Sequence, residues 1–522
     1  MLIGGEWRTT VDSIEARNPA TDALLDLVSS GGAAEIDAAV RAAQTAFPAW
    51  RDGGEQLRKR MLRRLHDVLA ERRDQLSELI HRETGKPIVE ALSGDVLVAL
   101  ETLAYHAKHG TSELAPERIK LTQRTLIGHK VEVVYEPVGV VGVIGPWNVP
   151  LGIALTQIAS ALIVGNTVVF KPSEFTSLIG LALAEASVAA GLPAGVLNVV
   201  TGAGAAGAAL ASHPGTRRIL FTGSVETGRN VAVACARRLC PCVLELGGVG
   251  AAIVRADADP ELAARGVVFT RFVNNGQICV ATERVYVNRR IAQPFIEAVV
   301  RETAKLRSGS DRTDYDVGPL INAASVERME QQVADAVAGG AVVRTGGARP
   351  PLDEGRRYGH YFAPTVLTNV TPDMAIMREE TFGPLLPILE VDDDEEALRH
   401  ANSLPLGLGM TIWTRDVEAG AALGRKIETG MIWINDGAVY FSDPAIPWGG
   451  VKESGIGRSH GRWGLQAVAD VKVVARSRHS QRLWWFPYAP YKHRLIKLIV
   501  ALQHTRGWRP KVRALAEALL VR

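Results

Sequence analysis

The sequence predicts an α/β protein built from two doubly wound domains, and three observations support this fold class. Short apolar runs between residues 138 and 254 alternate with segments of helical character, which is typical of a parallel sheet covered by helices on both faces. The alternation resumes between residues 293 and 435, which indicates a second domain of comparable size. A chain of 522 residues is also too long for one hydrophobic core.

Helices are expected before the first sheet. Residues 1–30 carry turn signals and short strand patterns, and helical character follows over Ala33–Trp50. A long amphipathic helix is predicted over residues 57–84, ended by the glycine and proline of Gly85–Pro87, and another helix over Ala91–His109. Acidic residues interleave with the arginines of the long helix, so a solvated face is favoured over a nucleic-acid surface.

The elements of the two α/β regions follow from these patterns. The expected strands are Val138–Ile144, Thr167–Phe170, Val196–Val200, Arg218–Phe221, Cys242–Leu246, Ala251–Val254, Ala341–Arg344, Gly409–Thr414 and Met431–Asn435. The expected helices are Leu151–Val164, Ser177–Ala190, Ala205–Ala211, Thr227–Arg238, Gln293–Leu306, Ala324–Ala338, Glu395–Asn402 and Val417–Thr429. In such domains ligands bind at the carboxyl ends of the strands.

The composition is that of an ordinary globular protein, with 47% hydrophobic and 22% charged residues. The four cysteines show neither a disulfide framework nor a metal-ligand spacing, which predicts a reducing compartment and no bound metal. The N-terminal residues lack a secretory signal pattern, and no uncharged apolar stretch reaches the roughly 18 residues needed to span a membrane. A cytoplasmic protein is therefore expected.

One cysteine, Cys279, has surroundings that suggest chemistry. It lies in the segment Asn274–Thr282, shortly after Gly276, whose missing side chain permits a turn or a close approach to a ligand. A cysteine at such a turn can keep its backbone N–H free, which favours a thiolate and supplies a donor to an oxyanion. A buried cysteine that acts as a small hydrophobe is the competing interpretation.

A nucleotide site is predicted at the ends of two neighbouring strands. Lys171–Glu174 places an ammonium and a carboxylate after one strand, and Gly223-Ser224 leads from another strand into a helix whose N–H groups favour phosphate. Either feature alone could be an ordinary surface turn. The run Gly202–Gly207 also matches G-x-G-x-x-G, but no acidic residue follows at about 20 residues, so we interpret it as a strand-to-helix turn.

Two polar residues accompany these turns. Asn148 stands in Gly145–Pro150, where two prolines stiffen the turn, so its amide could donate to an oxyanion or cap the following helix. Glu245 is a lone acid at an apolar strand end, where burial would raise its pKa towards the range useful to a general base. A structural ion pair is the alternative for Glu245.

Seven motifs, taken in their order and spacing, resemble those of the NAD(P)-dependent aldehyde dehydrogenase superfamily over residues 1 to about 478. These motifs are Pro146–Pro150, Lys171–Glu174, Phe221–Ser224, Glu245–Gly248, Gly276–Cys279, Glu380–Pro384 and Gly449–Arg458. The resemblance implies an aldehyde dehydrogenase-like fold, with two doubly wound α/β domains, a small β oligomerisation element and a homodimer or homotetramer. It implies an NAD-binding domain at 1–117 and 139–247, a catalytic domain at 248–448, and an oligomerisation element at 118–138 and 449–478.

The resemblance also implies roles for the site residues. Cys279 would add to the aldehyde carbon, Asn148 with the Cys279 N–H would hold the oxyanion, and Glu245 would activate the water that hydrolyses the thioester. NAD is the expected cofactor and NADP the alternative, because the Glu174 carboxylate would repel a 2′-phosphate. The implied cofactor contacts are Trp147, Lys171, Ser173, Glu174, Gly223, Ser224, Glu380 and Phe382.

The substrate is expected to be an aromatic or long-chain aliphatic aldehyde, because the tunnel residues are mostly apolar and no arginine is obvious among them. The residues expected to face the tunnel are Val149, Gly152, Ile153, Thr156, Tyr440, Phe441 and Trp448. One departure from the family is Val249-Gly250, where Lys-Asn is frequent, and it could loosen the region around Glu245. Two rival functions are a CoA-acylating dehydrogenase, which Glu245 disfavours, and a non-catalytic membrane-associated scaffold, which the intact site residues disfavour.

A basic aromatic tail at residues 479–522 extends past the usual end of the family. From residue 476 to the end, eleven Lys or Arg accompany one acid, so this part carries +10 and the rest of the chain −7. Aromatic residues Trp484–Tyr488 precede a probable amphipathic helix around 491–502, and a second short helix is expected over Lys511–Leu520. Peripheral membrane contact and docking on the protein's own acidic surface or on a partner subunit are equally compatible with this pattern.

Overall fold

The structure is a computed structural model that describes residues 1–122, 129–310, 315–351, 358–437, 443–477 and 485–519. It divides the chain into two compact units. The first comprises Met1–Leu114 and Pro137–Asp470, and the second comprises Ala115–Glu136 and Val471–Arg522. The α/β fold class is confirmed, because the first unit contains two largely parallel sheets.

The first sheet has eight strands with a parallel centre. In spatial order they are Glu6–Trp7, Leu2–Ile3, Leu197–Val199, Thr167–Lys171, Val140–Ile144, Arg218–Thr222, Cys242–Glu245 and Gly455–Ile456. The five strands from Leu197–Val199 to Cys242–Glu245 are parallel, and antiparallel strands close both edges. Strand order reverses between Val140–Ile144 and Arg218–Thr222, which is where doubly wound sheets open a ligand crevice.

Helices cover this sheet, and one of them is entirely buried. All thirteen residues of Gly152–Val164 are buried, as expected for a helix that is apolar on every side. The long helix predicted over residues 57–84 is in fact two helices that meet at Arg72, and Ala91–Val96 is a π-helical turn. The α-helices here are Ala33–Asp52, Gly54–Glu71, Arg73–Thr84, Ile88–Glu90, Leu97–His109, Gly152–Val164, Ser177–Ala189, Gly204–Ser212 and Val225–Ala236.

The second sheet has seven strands. In spatial order they are Val342–Thr345, Thr365–Thr368, Leu385–Val391, Thr282–Asn288, Gly250–Val254, Gly409–Trp413 and Met431–Ile434. All neighbours are parallel except the edge strand Val342–Thr345. The sequence-based prediction missed Thr365–Thr368 and Leu385–Val391. The helices of this half are Pro260–Phe272, Ala292–Thr303, Ala323–Ala338, Ala375–Arg378, Asp394–Asn402 and Val417–Gly424. The later helix Gly461–Ala467 packs against Gly152–Val164 of the first half.

Two short antiparallel strand pairs complete the first unit. Ser13–Arg17 pairs with Leu24–Ser29, and Leu406–Gly407 pairs with Val451–Lys452. The predicted oligomerisation element differs in extent from the second unit, because residues 449–470 belong to the first unit. Their short strands Val451–Lys452 and Gly455–Ile456 pair with Leu406–Gly407 and Cys242–Glu245 of that unit.

The second unit contains a small sheet and the tail helices. Its three strands, in spatial order, are Ala469–Ser477, His129–Pro137 and Glu117–Ile119. The tail forms the helices Pro490–His504 and Trp508–Leu519, so both predicted tail helices are present, and Trp484 lies outside the described residues. None of the described helices is long and apolar enough to cross a membrane.

Candidate active site

A cavity of about 810 Å³ opens at the carboxyl ends of the first sheet, where the strand order reverses. Its walls include the turn Gly145–Asn148 after one central strand and the segment Phe221–Ser224 at the end of the next. Cys279 and Glu380 also line it, and each precedes a strand of the second sheet. The cavity therefore lies between the carboxyl ends of one sheet and the amino ends of the other.

One end of the cavity carries the predicted ammonium and carboxylate. The Lys171 Nζ is buried and donates to Gly202 O at 2.9 Å and to Glu174 Oε2 at 3.2 Å. Burial lowers the pKa of Lys171, and Glu174 counteracts that effect. The Ser173 hydroxyl accepts from the Phe175 N–H and so fixes the short turn that presents Glu174 to the cavity.

The helix Val225–Ala236 starts at the same cavity. The Ser224 hydroxyl caps it by accepting from the Thr227 N–H at 3.3 Å, and Gly223 donates to Glu245 O at 3.1 Å. The remaining N–H groups of the first turn and the helix dipole favour an anion at this point. The helix start that the sequence predicted after Gly223-Ser224 therefore lies at the wall of the cavity.

The glycine run that we dismissed as a nucleotide motif also belongs to the cavity. Gly204 and Gly207 line its wall, at the start of the helix Gly204–Ser212, beside Lys171. The missing acidic residue correctly argued against a dinucleotide fingerprint. The strand-to-helix turn nevertheless supplies a wall without side chains beside the Lys171 ammonium.

At the other end of the cavity a second carboxylate is held by backbone and by close packing. Glu380 Oε1 accepts from the Gly248 N–H at 3.0 Å, and a Cβ at Gly247 would lie 2.2 Å from Glu380 Oε2, so a side chain at Gly247 would displace the Glu380 carboxyl. Burial, as the main cause, and the negative charge of the nearby Glu283, as the second cause, raise the pKa of Glu380 to about 8. The Trp147 and Phe382 rings meet edge to face, with centroids 5.5 Å apart.

A buried ion pair that the sequence did not reveal fixes this second end. Glu283 accepts from the N–H groups of Thr381 and Phe382 and pairs with Arg271 at 2.8 Å. Both charged side chains are completely buried. The pair holds the loop that carries Glu380 and Phe382, whose backbone has a positive φ of 49°.

The donor set fits a dinucleotide cofactor. Carboxylates at both ends can accept from ribose hydroxyls, and the capped helix between them can hold a diphosphate. The volume is within the range of ordinary ligand sites, which is about 300–1,000 Å³. All eight residues predicted as cofactor contacts line this one cavity: Trp147, Lys171, Ser173, Glu174, Gly223, Ser224, Glu380 and Phe382.

Cys279 follows a tightly wound backbone segment. Asn274, Asn275 and Gly276 have φ values of 49°, 55° and 75°, in the left-handed region that Asn and Gly tolerate best. A Cβ at Gly276 would lie 2.4 Å from Gly383 O, so this turn leaves no room for a side chain. This turn brings the Cys279 side chain to the cavity wall, where it is partly exposed.

The thiol does not have the low pKa that its position at a turn suggested. Burial raises the pKa of Cys279 to about 12, and the carboxyls of Glu380 and Glu245 add to the increase. The N–H groups of Cys279 and Val280 act in the opposite direction but do not compensate. The direction of this shift favours the neutral thiol, which is opposite to the thiolate that the turn suggested.

Asn148 is buried, and its amide points in a defined direction. Its Nδ2 donates to Gln277 O at 3.0 Å, which leaves the second amide proton for another acceptor. The helix-cap alternative is wrong, because the helix Gly152–Val164 begins after Leu151 and receives no side-chain cap from Asn148. Gln277, two residues before Cys279, thus ties the amide to the cysteine loop.

Glu245 is buried and lines the cavity together with Cys279. Burial raises the pKa of its carboxyl to about 8, and a hydrogen bond from the Ser459 hydroxyl to Oε1 at 3.1 Å moderates the rise. Oε2 has no hydrogen-bond partner among the described groups. No Lys or Arg of the described chain lies within ion-pair distance of Glu245, so the structural ion-pair alternative receives no support.

Ser459 and His460 are site residues that the sequence patterns did not single out. The Ser459 hydroxyl lies 3.1 Å from His460 Nδ1 as well as from Glu245. Both residues directly follow the motif Gly449–Arg458, and this adjacency was the available signal. Ser459 and Glu245 are separated by 214 positions in the sequence, so their contact becomes apparent only in the folded chain.

A smaller inner cavity adjoins Cys279 and Glu245, and its lining tests the tunnel residues. Ile153, Thr156 and Trp448 lie on its wall as expected, together with Gln157, Leu246, Leu408 and His460. Val149 and Gly152 are not part of that wall. A Cβ at Gly152 would contact Gly94 O and Val149, so this residue packs against the neighbouring helices. Tyr440 and Phe441 lie outside the described residues.

The flanking residues of the nucleophile pack into a small apolar cluster. Val280, Leu408, Trp433 and Trp448 form its buried centre, and Ile278 packs against it. Among the described residues, Glu245 is the only one on the wall of the inner cavity whose side chain carries a carboxyl group.

Comparison with known proteins agrees with this geometry. Residues 7–474 match the model of the aldehyde dehydrogenase family. The peroxisomal aminoaldehyde dehydrogenase 1 of Pisum sativum is 36% identical over 498 residues, which cover 93% of this chain and 97% of that protein. The NADP(+) succinate-semialdehyde dehydrogenase of Escherichia coli K12 is 36% identical over 481 residues, which cover 91% of this chain and 96% of that protein.

Solved structures agree as well. The NAD+ complex of an aldehyde dehydrogenase from Bacillus cereus has a TM-score of 0.87 at 34% identity and covers 92% of this chain and 96% of its own. A putative aldehyde dehydrogenase from Burkholderia cenocepacia has a TM-score of 0.88 at 35% identity, with coverage of 94% and 98%. The chain belongs to the aldehyde dehydrogenase family.

Proposed function

We propose that the protein oxidises an aldehyde to its carboxylate with NAD(P)+ through a thioester on Cys279. One observation carries this proposal. A single cavity is lined by the Cys279 thiol, by the Glu245 carboxyl, whose pKa burial raises to about 8, and by polar groups that fit a dinucleotide. Cys279, Glu245 and Asn148 all line that cavity. A nucleophile, a base and an oxyanion donor are the groups that covalent acyl chemistry requires.

The proposed mechanism begins with loss of the thiol proton. The Glu245 carboxylate accepts this proton through Oε2, and the Cys279 sulfur adds to the aldehyde carbon to give a thiohemiacetal. The second amide proton of Asn148 and the backbone N–H of Cys279 stabilise the resulting oxyanion, a contribution of about 2.7–4 kcal/mol per donor. Trp147, Glu380 and Phe382 would hold the nicotinamide end of an NAD(P)+ cofactor, which would supply the acceptor for the hydride of the substrate carbon.

Hydrolysis of the thioester completes the proposed cycle. After the proton taken from Cys279 has passed to the solvent, the Glu245 carboxylate removes a proton from a water molecule, which attacks the acyl carbon. The carbon–sulfur bond then breaks, the acid product leaves as its carboxylate, and the departing Cys279 sulfur regains a proton from Glu245. The test is NADH production at 340 nm by the wild type and by Cys279→Ala. Absence of turnover with every aldehyde, or undiminished turnover by Cys279→Ala, would contradict the proposal. Formation of acyl-CoA when CoA is supplied would favour the CoA-acylating alternative instead.

For the substrate, we propose an aldehyde that is apolar next to the carbonyl group. The support is the apolar cluster around Trp433 and Trp448 and the absence of a Lys or Arg side chain on the described wall of the inner cavity. Small polar aldehydes are the second candidate, because relatives are named as semialdehyde and aminoaldehyde dehydrogenases. Comparison of kcat/KM for hexanal and benzaldehyde with that for succinate semialdehyde and 4-aminobutanal separates the two. A higher value for the charged aldehydes would overturn the apolar proposal.

We also propose NAD over NADP, and a homodimer or homotetramer in the cytoplasm. The Glu174 carboxylate is held at the cavity by Lys171, where it would repel a 2′-phosphate. In the strand Ala469–Ser477 the side chains of Val471 and Val473 are 64% and 61% exposed. These exposed apolar side chains on an edge strand are suited to contact with a second subunit. Light scattering of the purified protein gives the subunit number, and a monomer would contradict this proposal.

The basic tail supports a proposal of peripheral membrane contact. Trp485, Phe486 and Tyr488 are exposed by 60%, 79% and 69%, and they precede the helix Pro490–His504, which has no buried residue. Exposed aromatics beside Lys and Arg suit the interface of an anionic bilayer. Co-sedimentation with vesicles containing phosphatidylserine should pellet the full chain but not residues 1–478. Equal pelleting of both proteins would refute membrane contact and favour docking of the tail on protein.

A further inference from the structure

The loop that ends the helix Arg73–Thr84 carries charged side chains into the interior beneath the active site. Lys86 is 4% exposed and Asp95 is not exposed at all, and Lys86 Nζ lies 2.9 Å from Asp95 Oδ2. The sequence patterns treated this loop only as a helix end. A buried ion pair persists only when further hydrogen bonds satisfy both partners, so its surroundings show what it supports.

Lys86 acts on the backbone of Asn148. Its Nζ donates to Asn148 O at 2.6 Å, so the ammonium holds the peptide that carries the proposed oxyanion donor. Asp95 completes the arrangement, because its Oδ1 accepts from the N–H groups of Leu151 and Gly152 at 3.0 and 3.2 Å. One ion pair therefore fixes the turn around Asn148 on both sides.

Asp95 reaches this position from an unusual backbone element. It lies in the π-helical turn Ala91–Val96, which interrupts the helical run between residues 88 and 109. Such turns are rare and frequently occur at functional sites. The extra residue that a π turn contains changes the direction of Asp95 relative to a regular helix.

The short helix Ile88–Glu90, which follows this loop, also holds the segment before the nucleophile. Glu90 Oε2 accepts from the Asn274 N–H at 3.0 Å, and the Asn274 amide donates to Asn148 O at 3.2 Å. Asn274 is the first of the three left-handed residues before Cys279. Burial raises the pKa of Glu90 to about 7, and the charge of Lys86 opposes that rise.

We propose that Lys86, together with Asp95, is a positioning residue that sets the Asn148 amide for oxyanion stabilisation. Lys86 contacts neither the cavity nor the thiol, and it acts through the Asn148 backbone. This inference rests on the proposed roles of Cys279 and Asn148. It predicts that loss of Lys86 lowers the rate of acyl chemistry while the affinity for the cofactor is retained.

Lys86→Met is the test variant, because methionine keeps much of the side-chain length and removes the ammonium. The readout is cleavage of 4-nitrophenyl acetate, which acylates a nucleophilic thiol without aldehyde or cofactor. A displacement of about 1 Å at a catalytic group can cost about 100-fold. We expect acylation and kcat to fall by about 10- to 100-fold, while KM for NAD+ stays within about twofold.

Arg58→Met is the matched control. Arg58 is another buried cation that donates to backbone carbonyls, at Ile163 O and Arg51 O, away from the cavity. Its loss should lower the thermal midpoint and leave the acylation rate within about twofold. A comparable loss of acylation in Arg58→Met would overturn the proposal, because the effect of Lys86 would then be one of general stability.

A double-mutant comparison distinguishes positioning through Asn148 from any other route. In the Asn148→Ala background, Lys86→Met should change the acylation rate by less than about twofold, because the amide that it positions is gone. The proposal is overturned if the double variant loses as much acylation rate as the product of the two single losses. It is also overturned if Lys86→Met alone leaves the acylation rate unchanged. If Lys86→Met fails to fold, the neutral pair Lys86→Met with Asp95→Asn takes its place and carries the same expectation.

The design separates failure of this inference from failure of the proposed function. If Cys279→Ala still cleaves the ester, the proposed nucleophile is wrong. If Cys279→Ala loses cleavage but Lys86→Met retains the full rate, only the positioning role is wrong.

Discussion

Replacement of Ser459 by alanine tests whether Glu245 is the base of the reaction. The Ser459 hydroxyl donates to Glu245 Oε1 at 3.1 Å, and burial places the pKa of that carboxyl at about 8. A hydrogen bond to a charged group is worth about 1.5–3 kcal/mol, and about 1.4 kcal/mol corresponds to one pKa unit. Because this bond favours the carboxylate form, its loss should raise the pKa of Glu245 by about one to two units.

The consequence is visible in the pH dependence of turnover. The base form is the carboxylate, so thioester hydrolysis accelerates as the pH rises through the pKa of Glu245. In Ser459→Ala the acid limb of kcat should move to higher pH by about one to two units. The assay is NADH formation between pH 6 and pH 10 under conditions in which a pre-steady-state burst shows that hydrolysis is limiting.

Ser459→Thr is the matched control, because it keeps a hydroxyl at the same position. Its acid limb should coincide with that of the wild type. An acid limb that does not move in Ser459→Ala would refute the reasoning, since another group would then determine the pH dependence.

Three further predictions concern the amide, the cofactor and the pH dependence of stability. Asn148→Ala should lower kcat by about 10²- to 10³-fold in steady-state assays, and an unchanged kcat would exclude it as an oxyanion donor. Glu174→Gln should raise the NADP+ to NAD+ ratio of kcat/KM by about tenfold, because a charge that repels a 2′-phosphate is removed; a constant ratio would contradict this. Burial raises the pKa of Glu380 from the ordinary 4.5 to about 8, so the stability that its protonated carboxyl contributes is lost as the pH rises from 4.5 to about 8. The thermal midpoint of Glu380→Gln should therefore fall less between pH 6 and pH 9 than that of the wild type.

The first sheet was predictable because its strands are short, buried and apolar along their whole length. The strand Val140–Ile144 and the helix Gly152–Val164 lie within two residues of their predicted starts. The strand Leu385–Val391 was missed because Pro387 argues against an interior strand. The break at Arg72 was missed because the apolar spacing continues from one helix into the next and no glycine or proline marks the boundary.

The candidate site was predictable where a residue's own neighbours carry the signal. Cys279 follows a glycine turn, and Asn148 is enclosed by two prolines. Lys86 and Ser459 carry no such local signal, since they reach the site across 62 and 214 residues of chain. Such partners become apparent only when distant segments meet in the fold.

The electrostatics of the cavity restrict how Cys279 can react. Burial raises the pKa of the Cys279 thiol to about 12 and that of Glu245 to about 8, so complete proton transfer from the thiol to the carboxylate is uphill. An oxyanion donor such as Asn148 recovers about 2.7–4 kcal/mol, but only once the carbon–sulfur bond forms. Deprotonation and attack are therefore expected to be coupled, and the thiol stays neutral until an aldehyde is in place. The same low dielectric that suppresses the thiolate strengthens the Asn148 donor, which makes the exact direction of that amide, and the Lys86–Asp95 pair beneath it, decisive for the rate.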